Sequence, residues 1–131
     1  MADPRGLQIN KDIFNFEAYI YHYSDKLPKS FRNSCLHQKL VEHVIEMRHY
    51  SYLACCTSKW ERKEKVSLFS LAQGYAANVA DALDHEYNAH WLTDKGKATM
   101  DTMLDGIRTE LAKLVSAMSK ETSRPDARST Q

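Results

Sequence analysis

The step from Leu27 to Pro28 divides two runs of apolar residues at helical spacing, and it constrains the fold more than any other part of the chain. Proline fixes φ, carries no N–H and disfavours helical geometry at the residue before it. The first helix must therefore end at Leu27, and the next begins near Ser30 or Ser34. Before the break, Ile13, Phe16, Ile20, Tyr23 and Leu27 make one continuous seam, predicting a helix over 12–27 with Asn10 or Asp12 as its N-cap.

Three further seams follow. Leu40, Val44, Met47, Ser51 and Ala54 predict a helix over 34–57, with a second largely apolar stripe at Val41, Ile45, Tyr52 and Cys55. Val66, Phe69, Ala72, Ala76, Val79 and Leu83 predict one over 62–87. Met100, Met103, Ile107, Leu111, Leu114 and Met118 predict one over 94–118, capped by Thr93. With no hairpin signal and only short connections, the chain reads as all-α, an up-and-down antiparallel four-helix bundle over 12–118. Residues 1–11 read as a disordered N-terminal segment and 119–131 as a disordered tail.

At 131 residues, 43% of them hydrophobic and 27% charged, with 4 Gly and 3 Pro, the composition fits one helix-rich globular domain. The opening residues hold no secretory apolar stretch, and no uncharged run is long enough to span a membrane, so the sequence points to the cytoplasm and to no membrane partner. Phe14, Tyr21, Val41, Ile45, Tyr52, Leu68, Leu71 and Tyr75 lie off the seams. Such a surplus of apolar groups either widens the stripes of a tight bundle or marks self-association.

The residues give little support to catalysis. Cys35, Cys55 and Cys56 are odd in number and have no metal-ligand spacing. Glu46 and His49 match half of a dinuclear carboxylate site, but no second Glu-x-x-His exists and Glu46 falls on the outward face. The six histidines lack Cys partners at zinc spacing, and no acid is placed to orient one beside a nucleophile. Gly74 and Gly96 are isolated and cradle no phosphate. Asp81, Asp84 and Glu86 read as a solvated acidic face. The chain is read as a non-enzyme without metal or cofactor.

Charge is distributed unevenly. Residues 26–65 carry nine Lys or Arg against four Glu, whereas 66–118 carry four basic against seven acidic residues. Lys29 and Arg32 flank the first turn, Arg62, Lys63 and Lys65 flank the second connection with Trp60 interleaved, and Lys39 and Arg48 lie on the helix between. In an up-and-down bundle the two clusters fall at opposite ends. Cations beside an exposed aromatic suit phosphates and unpaired bases, so these seven residues are the candidate nucleic-acid contacts.

Tyr19-Ile20-Tyr21-x-Tyr23 followed by Leu27-Pro28-Lys29-Ser30-x-Arg32 resembles the tyrosine-rich first helix and Pro-Lys-Ser-x-Arg turn of the accessory variability determinant proteins of diversity-generating retroelements. These belong to a wider four-helix-bundle family that includes proteins encoded by intervening sequences of bacterial large-subunit rRNA genes. Leu36-x-Gln38-Lys39-Leu40 is similar to the family's second-helix start, with His37 where Gly is common, and Lys65-x-x-Leu68-x-x-x-Ala72 is similar to its third-helix opening. Helix order agrees along roughly residues 14–116. The resemblance implies a homopentameric barrel of bundles that binds the retroelement reverse transcriptase and its template RNA, with DNA as a further nucleic acid, and supports mutagenic cDNA synthesis without catalysing it. The alternative is a structural oligomer or protein-interaction module of the same fold without a nucleic-acid role.

Overall fold

The computed structural model describes residues 7–123, with side chains described through Lys120. It is all-helical, with no strand among the described residues: α1 (Gln8–Lys26), α2 (Lys29–Arg32), α3 (Cys35–Cys56), α4 (Arg62–Asn88) and α5 (Asp94–Ser123). Each of the four apolar seams lies on one long helix. The expected count of four helices becomes five because the basic connection itself coils.

Pro28 explains that extra turn. It holds Leu27 extended at φ −74°, ψ 145°, ending α1, and its carbonyl then accepts from the amides of Phe31 and Arg32 at 3.0 Å. α2 stops at Asn33, and Ser34 caps α3 by accepting from the His37 amide at 3.2 Å while donating to the Phe31 carbonyl at 2.6 Å. At the start of α5, Thr93 accepts from the Gly96 amide at 3.0 Å, the expected cap.

Other boundaries differ from the sequence reading. α1 starts at Gln8, inside the segment read as disordered, after an extended Leu7 that provides no side-chain cap; neither Asn10 nor Asp12 is its N-cap. The reason is Ile9, one helical turn before Ile13 and buried with it, which lengthens the seam. α5 runs to Ser123 rather than 118, and the next residue that resists helical geometry is Pro125. Residues 1–6 and 124–131 of the two expected disordered segments lie outside the described residues.

α4 ends in a Schellman motif: His90 adopts φ 65°, its amide donates to the Tyr87 carbonyl at 2.9 Å, and the Trp91 amide donates to the Glu86 carbonyl at 3.0 Å. Glycine is the usual occupant of that left-handed position; here an L side chain holds it.

Side-chain contacts give the antiparallel order. Asn10 meets Ser51, Glu17 meets Arg48 and Ser24 meets His37 along α1 and α3. Tyr50 stacks on Tyr75 between α3 and α4, and Lys97 bonds Asp84 between α4 and α5. α1 also packs on α5, so the long helices close a ring in the order α1, α3, α4, α5. Phe16, Ile20, Leu40, Val44, Met47, Phe69, Leu83, Met100, Ile107 and Leu111 fill its centre. Leu104, off the anticipated α5 seam, joins them, whereas Val66 and Met103 are only half-buried.

Candidate functional site

The seven candidate basic residues fall into three places. Lys29 is exposed on α2, and Arg32 beside it is half-buried, donating through Nη2 to the Leu27 carbonyl at 3.1 Å while its Nε is enclosed without a partner. That hydrogen bond places a cation just past the C-terminal end of α1, where the helix dipole favours it. Lys39 is exposed and lies 3.6 Å from Glu42. Arg48 sits on the side of the bundle with Nε 2.8 Å from the buried Glu17 carboxylate. At the opposite end from α2, Lys63 is exposed, Arg62 is half-buried, and Lys65 donates through Nζ to the Thr57 carbonyl at 3.1 Å, closing the end of α3. Within one chain the structure does not gather these groups onto one face. α3 spans about 33 Å at 1.5 Å per residue, and that length separates the two end clusters.

The α3–α4 connection carries the most exposed large hydrophobic side chain among the described residues, Trp60 at 71%, with Lys59 Nζ 5.1 Å from its ring centroid. At the other end, Phe31 of α2 stacks on Trp91 at 4.5 Å between centroids and 8° between planes, pinning the one-turn helix to the α4–α5 connection.

Between the α2 end and the core lies a polar cluster that the sequence reading missed. His37, 1% exposed, places Nδ1 3.1 Å from Glu86 Oε2, and Glu86 is wholly buried. Tyr23 donates to Glu86 Oε1 at 2.6 Å, and Ser24 Oγ lies 2.6 Å from His37 Nε2. Burial, and then the hydrogen bond to Glu86, push the Tyr23 phenol far above its ordinary range. An acid does therefore orient a histidine, and Glu86 does not belong to the solvated face of Asp81 and Asp84; it points the other way. Ser24, His37 and Glu86 follow the contact order of a nucleophile, base and acid. Ser24 lies in the last turn of α1 and its partners are enclosed, and these contacts fasten α1, α3 and α4 together.

The sequence did carry a signal for it. His37 precedes Leu40 by three residues, Glu86 follows Leu83 by three and Ser24 follows Ile20 by four, so each polar group stands in core register. Glu17, between Ile13 and Ile20, obeys the same rule and is 5% exposed. Tyr21 donates to it at 2.8 Å, and burial followed by that bond raises the Tyr21 phenol.

Among the described residues no group of three or more His, Cys, Asp or Glu is arranged to hold a metal ion. Cys35 and Cys56 are exposed, and burial raises the thiol of half-buried Cys55. None of the described helices is long and apolar enough to cross a membrane. No family model, characterised protein or solved structure matches the chain.

Proposed function

We propose that this chain is a noncatalytic accessory protein of a diversity-generating retroelement, binding the reverse transcriptase and its template RNA in the cytoplasm as a homo-oligomer, a pentameric barrel of four-helix bundles. The motif resemblance around Pro28 suggests the partners. The observation that carries the nucleic-acid part is the α3–α4 connection, where exposed Trp60 lies 5.1 Å from Lys59 Nζ and exposed Lys63 follows three residues later in the sequence, after half-buried Arg62. An exposed indole offers a stacking platform to an unpaired base, and flanking cations neutralise phosphates. Lys29 and Lys39 provide a second cationic end.

The test is binding of single-stranded RNA by fluorescence anisotropy across a salt series. Lys63→Glu with Trp60→Ala should weaken binding at least about tenfold and flatten the salt dependence. Undetectable binding of both RNA and the cognate polymerase at low salt overturns the reading.

A second reading, a structural or protein-interaction oligomer without nucleic acid, is favoured by Arg48. Its bond to Glu17 neutralises it within an aromatic groove, where a phosphate contact would need a spare charge. A discrete oligomer that retains neither RNA nor polymerase decides for it.

A further inference from the structure

α1 and α3 leave between them an open groove of about 660 Å³ lined by Asn10, Phe14, Glu17, Tyr21, Arg48 and Tyr52. Phe14 is 64% exposed, and Tyr21 and Tyr52 are exposed as well. Large aromatic groups gathered in one open groove mark an association surface. Among its described lining residues the charged ones, Arg48 and Glu17, are bonded to each other at 2.8 Å, so the groove offers no net charge to a polyanion or to a charged helix. What covers it should itself be uncharged.

The chain carries such a surface. Residues 66–80 of α4 contain no Asp, Glu, Lys, Arg or His, although Ser67, Ser70, Leu71, Gly74, Ala77 and Asn78 are all exposed. A helix without a charged face is ordinarily a helix that is covered. Gly74 makes the point sharper: it lies in the middle of α4, and a Cβ there would meet nothing within 4 Å, so no contact inside this chain calls for glycine. Gly106 on α5 is equally open but stands between exposed Asp105 and Arg108, on a face that water solvates.

The two surfaces also match in relief. Along α1 the exposed row is Phe14, Ala18, Tyr21, large then small then large; along α4 it is Ser67, Leu71, Gly74, small then large then small, at the same spacings. Side chains at such positions share one helix face, so Phe14 and Tyr21 can seat at Ser67 and Gly74 while Leu71 fills the gap over Ala18.

We infer that the α1–α3 groove is the docking site for the uncharged α4 face of a second copy of this chain. α1 and α4 both pack on α3 and α5, which puts them at diagonal corners of the bundle. The contact is therefore head-to-tail rather than self-complementary, and such contacts propagate until a ring closes. This inference rests on the proposed self-association and specifies its interface; RNA binding at the α3–α4 connection is a separate property.

Light scattering coupled to size exclusion on the full chain tests it, with circular dichroism confirming that each variant keeps its helix content. Wild type should run as a closed oligomer, whereas Phe14→Asp and Leu71→Asp should each run as monomers. Mixing those two variants leaves one intact groove and one intact α4 face, so the mixture should yield a dimer and nothing larger. Ala18→Leu should dissociate the oligomer, and adding Leu71→Ala in the same chain should restore it. A wild-type monomer at the highest attainable concentration overturns both the self-association and this interface. An oligomer that survives Phe14→Asp and Leu71→Asp, or a mixture that stays monomeric, overturns the interface alone.

Discussion

At the scale of single residues, the cluster of Tyr23, Ser24, His37 and Glu86 dominates. A buried ionisable pair is costly to break because the remaining partner stays in a place without water. Replacing His37 or Glu86 alone by Leu should destabilise the chain by about 3–5 kcal/mol in urea unfolding, and the double replacement should cost less than the sum of the two. Tyr23→Phe removes a donor to a buried carboxylate and should cost about 2 kcal/mol. The folded phenol titrates above its ordinary value of 10.0, so the stability it contributes is complete below pH 10 and is lost as pH rises beyond it. Unfolding free energy followed from pH 8 to 11 should therefore fall at the alkaline end, and Tyr23→Phe should flatten that fall. These residues were legible only in part. Leu40, Val44 and Leu83 proclaim their faces by being apolar, whereas His37 and Glu86 occupy the same faces with side chains that usually seek water. Periodicity places such a residue; it does not name the partner that makes burial tolerable.

At the scale of elements, the ends of helices carry most of the difference between sequence and structure. The Pro28 stop and the Thr93 cap could be read directly, since each rests on the chemistry of one residue, whereas Ser34 stood only as one of two possible starts for the second helix. α2 could not, because one turn of helix is too short for any periodicity to show. The early start of α1 was missed because Ile9 stands alone before the seam. Nor does anything in the local sequence announce His90 as left-handed. His90→Gly relieves that backbone while keeping both Schellman hydrogen bonds, and should stabilise the chain by about 1 kcal/mol, read as a rise in the unfolding midpoint. The same replacement at exposed His85, inside α4, should cost about as much, which separates conformational relief from loss of the imidazole.

At the scale of the whole molecule, the ring of helices closes unevenly. α3 and α4 share the most extensive contact, while α1 meets its neighbours more sparsely and leaves the aromatic groove beside it. On its other side, α1 brings Asp12 against Glu110 of α5, and burial together with the Asp12 carboxylate raises the Glu110 pKa. A raised carboxyl pKa means that the folded state gains from protonation, so this contact helps at acid pH and loses its benefit as pH rises through the folded value. Asp12→Asn should consequently add about 0.5 kcal/mol at pH 7 and nothing near pH 3, with the partly exposed setting keeping the effect small. The architecture was visible in four seams and a proline, and so was the division of the basic residues between two ends and the helix between them; which of those cations are already engaged was not. Charge along a sequence says how much cation a segment carries, and only packing says where each cation is already engaged, as Arg32 is by Leu27 and Arg48 by Glu17.

The buried cluster has one more consequence, for how the chain finds its alignment. A seam of Leu, Val, Met and Ala repeats from turn to turn, and two such seams can slide past each other by one turn, about 5.4 Å, while still covering most of their apolar surface. The same slip at His37 would draw its ring away from Glu86 and Ser24 and leave ionisable groups stranded in the core. Misaligned pairings that the greasy residues would tolerate are thereby ruled out by a handful of polar atoms, which act as the tooth and notch that let α1, α3 and α4 mesh in one setting.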